Sequence, residues 1–94
     1  MNGWFYFFLH DLQQWFVSNG ISSDHARQLV AGNMQDCLAT IQSCPGQSLE
    51  GLGNAIATPG TYTAIGLDLL KQRRSSEAWC IASNDVLRLL TKED

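Results

Sequence analysis

Seven of the nine aromatic residues of this 94-residue chain (Trp4, Phe5, Tyr6, Phe7, Phe8, Trp15 and Phe16) lie within its first sixteen positions. Each such side chain takes about 150–250 Å² out of water when buried, and a monomer rarely exposes an apolar patch above a few hundred Å². A single domain of this length hides only about 60–65% of its unfolded surface. One segment therefore carries more aromatic area than a small core can take in while also enclosing the rest of the chain. It needs a second surface to cover it. Nucleic acid is a poor candidate, because six Lys/Arg against nine Asp/Glu leave a net charge of -3, the wrong sign for a basic binding face.

A membrane is equally poor. The apolar run Trp4 to Leu9 ends at His10-Asp11, whereas a span needs about twenty residues. No basic start marks a signal peptide, and the segment lacks the Lys/Arg that surface-lying helices use. The cysteines Cys37, Cys44 and Cys80 are odd in number and form no CxxC pair, and only His10 and His25 could join them as ligands. Neither a metal site nor a disulfide framework is expected. The compartment expected is the reducing cytoplasm.

The periodicity predicts an all-α domain over residues 1–94 with about five helices. Residues 4–18 read as the first, because the apolar spacing continues through Leu12, Trp15 and Phe16, and Asn19-Gly20 supplies a stop. A strand over 4–9 is the competing reading, since aromatics favour strands. Ser22-Ser23-Asp24 caps a second helix to about Ser43, with Ala26, Leu29, Val30, Met34, Cys37, Leu38 and Ile41 as its inward stripe. Gly32 inside it costs about 1 kcal/mol relative to Ala unless another backbone packs there. Cys44-Pro45-Gly46 ends that helix, and a short one follows near 48–57. A fourth over 62–72 carries Ile65, Leu69 and Leu70, with Lys71, Arg73 and Arg74 at the end where the dipole favours cations. Ser75-Ser76-Glu77 is expected to cap a last helix with Trp79, Ala82, Val86, Leu89 and Leu90 inward.

Few residues are arranged for chemistry. Neither glycine-rich phosphate loop is present, and Gly51-Leu52-Gly53 follows no strand. His10 and Asp11 are adjacent and so point to different helix faces, which is no acid–base dyad. The serines of the caps have no base at a recognisable spacing. One segment concentrates useful groups: Ala57-Thr58-Pro59-Gly60-Thr61-Tyr62-Thr63. There one helix ends, a Pro-Gly turn frees the backbone, and a new helix N-terminus presents unpaired N–H groups beside threonine hydroxyls, a natural seat for a small carboxylate. An ordinary helix start capped by Thr61 explains the same residues.

At this segment the chain resembles the pyrroline-5-carboxylate reductases. Asn54 to Leu67 is similar to their D-x-V-[ST]-S-P-G-G-x-T-x-x-[AG]-L signature. Gly20-Ile21-Ser22-Ser23 with His25-Ala26-Arg27-Gln28-Leu29 resembles their G-[LI]-P-x-x-x-A-x-x-L. Cys44-Pro45-Gly46-Gln47 is similar to their H-P-G-Q turn, and Asn2-Gly3 with Tyr6 and Phe8-Leu9 to their S-G-P-A-Y-V-F-L opening. The resemblance implies a 6-phosphogluconate-dehydrogenase C-terminal-like helical bundle whose protomers interlock as an intertwined dimer. It implies that Thr58, Gly60, Thr61 and Thr63 hold the carboxylate of a cyclic imino-acid substrate. NADPH or NADH would bind an N-terminal Rossmann domain that these 94 residues do not include, so no cofactor is assigned to this chain, and alone it is expected to be inactive.

The chain departs from the pattern in places. Thr61 stands where the signature has its second Gly, bulky Tyr62 follows, and Trp4 and Phe5 replace the Pro and Ala of the opening. If position 61 needs φ > 0, a β-branched residue is strained there and the loop has another shape. The alternative function is thus a non-catalytic helical oligomerisation or interaction module derived from the family. Under either reading the N-terminal aromatics have somewhere to go, a second protomer or the missing half, and Trp4, Phe5, Phe7, Phe8, Trp15 and Phe16 are the expected interface.

Overall fold

The computed structural model describes residues 2–91, which form five α-helices joined by turns, with no strand among the described residues: α1 (Asn2–Ser18), α2 (Ser23–Ser43), α3 (Leu49–Ile56), α4 (Tyr62–Gln72) and α5 (Ser75–Thr91). The all-α expectation holds, and residues 4–9 are helix rather than strand. None of the described helices is long and apolar enough to cross a membrane. The chain divides into two compact units, one ending at Ser48 and the other beginning at Leu49.

In the first unit α1 packs along α2. The reversal between them is a Schellman motif. Ile21 N–H donates to Phe16 O and Gly20 N–H to Val17 O, both at 3.1 Å, which satisfies carbonyls that the end of α1 would leave unpaired. The motif requires a left-handed residue, and Gly20 takes φ +95° without the clash a Cβ would bring. Ser22 then caps α2. Its backbone is extended and its side-chain oxygen accepts from His25 N–H at 3.2 Å. Asp24 in the first turn complements the helix dipole. Gln13 clasps the junction from α1, its amide donating to Ser23 O at 3.1 Å and to Ser23 Oγ at 3.3 Å. At the far end Cys44 N–H donates to Thr40 O, and Pro45 cannot continue the helix.

In the second unit α4 packs against α5 across a tight junction. Arg73 caps α4, its N–H donating to Leu69 O at 3.0 Å. Arg74 follows with φ +56°, a left-handed conformation that costs a non-glycine residue about 1–2 kcal/mol. Its ion pair with Glu77, 3.5 Å and mostly solvated, offsets little of that. Here the structure corrects the expected serine cap. Helix α5 starts at Ser75 itself, and the carbonyl before it that accepts from Ala78 N–H belongs to Arg74.

Burial departs further from expectation. Among the described residues only Ala26 and Val30, one turn apart on α2, are buried apolar side chains. Leu29 and Met34 are half-buried, but Cys37, Leu38 and Ile41 of the same stripe are exposed. The inward set on α5 is not inward at all, since Trp79, Ala82, Val86, Leu89 and Leu90 are exposed, as are Ile65, Leu69 and Leu70 on α4. The stripes were read correctly as helical faces. Within its own unit each of these stripes stays largely uncovered.

Two glycines make the local argument measurable at matched protein concentration. Gly20→Ala should lose about 1–2 kcal/mol in urea denaturation, because φ +95° is closed to an L side chain. Gly32→Ala, in mid-helix with nothing within 4 Å of the added Cβ, should gain about 1 kcal/mol.

Candidate functional site

The threonine-rich turn is built from both its ends. Helix α3 closes when Ala57 N–H donates to Gly53 O at 2.9 Å. Thr58-Pro59-Gly60-Thr61 then reverses the chain, with Thr61 N–H donating to Thr58 O at 3.2 Å. Proline at the second position presets φ, and Gly60 at the third has φ +87°, the signature of a type II turn. Every peptide bond in the described chain is trans. The earlier Cys44-Pro45-Gly46-Gln47 segment has the same Pro-Gly pair and the same kind of bond, Gln47 N–H to Cys44 O at 3.1 Å. Gly60, unlike Gly46, belongs to the positive-φ residues. Identical dipeptides thus make different turns.

Thr61 ends the turn and starts α4. Its φ of -85° and ψ of 156° are ordinary extended backbone, so the strain anticipated for a β-branched residue at this position does not arise. The left-handed position is Gly60, one residue earlier. The Thr61 hydroxyl is fully engaged: it donates to Thr58 O at 2.7 Å and accepts from Ala64 N–H at 3.1 Å. Thr61 O accepts the first helical bond, from Ile65 N–H.

What remains open is narrow. Of the amides at the start of α4, those of Thr61 and Ala64 are bonded, and those of Tyr62 and Thr63 have no acceptor among the described residues. The Thr58 and Thr63 side chains, in no hydrogen bond among the described residues, are exposed, and Tyr62 is 93% exposed. The arrangement offers two N–H donors, the positive end of an eleven-residue helix, and adjacent hydroxyls. It can hold an anion. It contains no paired acid and base, and nothing in it is arranged as a nucleophile.

The structure therefore brings Thr58, Gly60, Thr61 and Thr63 into one turn but divides their work. Gly60 and Thr61 shape the loop, and Thr63 faces outward with its amide. Sequence reasoning missed the part played by the Thr58 carbonyl, which anchors both the amide and the hydroxyl of Thr61. Since that group is a main-chain oxygen, only the Pro-Gly pair followed by a hydroxyl residue marks it in the sequence.

The expected interface residues all lie on α1. Phe5, Phe7, Phe8 and Trp15 are exposed, with Phe7 at 72% and Trp15 at 60%, while Trp4 and Phe16 are half-buried. Leu9, Gln13 and Phe16, spaced four and three apart, form one partly covered side; Phe8 and Trp15, seven apart, share another. The Trp15 ring meets Phe16 edge-on at 5.1 Å between centroids.

A family model described as pyrroline-5-carboxylate reductase dimerisation matches residues 1–88. No curated protein and no solved structure gives a match.

The division of labour in the turn has a direct check. Thr61→Ala should destabilise the chain by about 1 kcal/mol through loss of the cap. Thr63→Ala, exposed and unbonded, should stay within about 0.5 kcal/mol of the parent in the same denaturation assay.

Proposed function

The chain belongs to the pyrroline-5-carboxylate reductase dimerisation family, and on that premise we propose that it is the dimerisation and substrate-side domain of an oxidoreductase that reduces a cyclic imine to a cyclic secondary amino acid such as proline. The dimerisation role is what the family supports. The substrate role rests on one observation, the two unbonded amides of Tyr62 and Thr63 at the mouth of the Thr58–Thr61 turn.

In this reading the substrate carboxylate sits on those amides and on the Thr63 hydroxyl, with Thr58 beside it. Gly60 lets the backbone turn, and Thr61 holds α4 in place without touching the ligand through its hydroxyl hydrogen, which is already given to Thr58 O. The contribution is positioning. It fixes one end of a small molecule so that its C=N bond can be presented at a constant place and angle. NADPH or NADH would supply the hydride, and no cofactor contact is assigned to this chain, whose sequence carries neither glycine fingerprint. No hydride or proton step is assigned to this chain. We place the protein in the cytoplasm, where unpaired thiols persist.

The protomer partner is a second copy of the chain, and the exposed α1 side bearing Phe7, Phe8 and Trp15 is part of the contact. Sizing with light scattering should give a dimer at micromolar concentration; a strictly monomeric species would overturn that contact. Calorimetric titration with L-proline or a cyclic analogue, on the protein joined to its nucleotide-binding half, should show binding. Thr63→Val should weaken it about tenfold, the worth of one charge-assisted hydrogen bond. Absence of binding at millimolar ligand with the fold intact would favour the alternative, a helical interaction module that has kept the dimer and lost the ligand. The isolated chain should show no nicotinamide-dependent turnover.

A further inference from the structure

Asn19 differs in its surroundings from the other asparagines of the chain. Asn33, Asn54 and Asn84 sit inside α2, α3 and α5, and the residues that follow them are Met34, Ala55 and Asp85. Asn19 lies in the turn between α1 and α2, is exposed to water, and is followed by Gly20. The nitrogen of a residue after asparagine can close a five-membered ring on the side-chain carbon Cγ, and on glycine no side chain stands in the way. Nothing lies within 4 Å of the place a Cβ on Gly20 would take, so both a ring and an incoming water have room.

The folded turn ties up both reacting groups. Gly20 N–H, the nucleophile, donates to Val17 O at 3.1 Å. Asn19 Nδ2, the leaving group, donates to Trp15 O at 2.9 Å. Both acceptors are carbonyls near the C-terminal end of α1, which the reversal serves to satisfy. Ring closure breaks both bonds, so the turn has to open first.

We propose that Asn19-Gly20 is a self-modification site, an intramolecular deamidation that proceeds through the opened reversal and then prevents its reclosure. The Gly20 nitrogen gives its proton to a base from solvent and attacks Asn19 Cγ. The N–Cγ bond forms, the Cγ–Nδ2 bond breaks, and ammonia leaves with its third hydrogen returned by the protonated base. Water then opens the imide at one of its two carbonyls, leaving aspartate or isoaspartate at position 19. One water is consumed and one ammonia released, with no change of oxidation state. Neither product restores the turn. A carboxylate has no hydrogen to give Trp15 O, and it sets a negative charge at the negative end of the α1 dipole. The described part of that unit is already acidic, with Asp11, Asp24 and Asp36 against Arg27 alone. Isoaspartate adds a methylene to the main chain inside the loop that Ile21 N–H and Phe16 O close, which displaces that bond too.

The experiment ages the 94-residue chain in mildly alkaline buffer, folded and, in parallel, unfolded in urea. Peptide mapping by mass spectrometry locates each conversion, and labelling by an isoaspartyl methyltransferase identifies the isoaspartyl product. Asn19 should convert in the folded chain about tenfold or more slowly than in the unfolded one, the protection that two hydrogen bonds give. Asn33, Asn54 and Asn84 should stay intact in the folded chain. Fragmentation separates Asn19 from Asn2-Gly3, the same dipeptide at the start of α1. An Asn19 that stays intact in the folded chain while it converts in urea overturns the site, and equal rates in the two overturn the gating. Asn19→Gln, whose ring would be larger, should abolish conversion at this position. Asn19→Asp, which reproduces one product, should lower the urea midpoint and speed amide exchange at Gly20 and Ile21 about tenfold. An unchanged midpoint and exchange defeat the claim that the turn fails to reclose. Should that variant not fold, the converted fraction separated from the aged parent by anion exchange supplies the same comparison.

Discussion

Apolar surface has to leave water for a helix to persist, and this chain makes far more of it than it hides. Ala26 and Val30 are the buried apolar side chains among the described residues. Each of the five helices also carries exposed Phe, Trp, Leu, Ile or Val side chains. Ser22 and Thr61 cap the starts of α2 and α4, the turns are closed by hydrogen bonds, and no buried side-chain nitrogen or oxygen lacks a partner among the described residues. Local order is thus well developed where burial is slight. A family whose defining property is dimerisation resolves that imbalance, because the layer missing from one chain can be supplied by another.

The same division separates the candidate site from the interface. The Thr58–Thr63 turn is held by bonds among near neighbours, from Gly53 to Ile65, and needs no distant residue for its shape. Its chemistry is modest and general. Two amides at a helix start prefer an anion, but they do not choose among carboxylates. Discrimination has to come from whatever surrounds the turn in the assembled protein.

Much of this could be read from the residues. Helix boundaries followed from Gly20, Ser22, Pro45, Pro59-Gly60 and Thr61, each of which acts through backbone geometry within a few positions. The turn itself followed from the order Thr-Pro-Gly-Thr. Two things were misjudged. Thr61 was feared to need a left-handed backbone, when the turn places that demand on Gly60. The stripes at Cys37–Ile41 and Trp79–Leu90 were expected to face a core, and they are exposed. Periodicity states that a helix has an apolar side; it is silent on whether the covering surface lies in the same molecule. The start of α5 was obscured for a different reason, since an arginine at φ +56° leaves no signature that a sequence pattern reports.

The Gly20 reversal also bears on the order in which the structure forms. The bonds that join α1 to α2 link Phe16 to Ile21 and Gln13 to Ser23, residues close together along the chain. Contacts of such short separation close quickly, because little loop entropy is lost in making them. That event is unimolecular and indifferent to dilution. Association of chains, by contrast, waits for a collision and slows as concentration falls. In the interval the chain is a formed hairpin with Phe7, Phe8 and Trp15 facing water, a surface as able to meet wrong partners as right ones. The glycine that lets the hairpin close early thereby decides which surface stands in water while a partner is awaited.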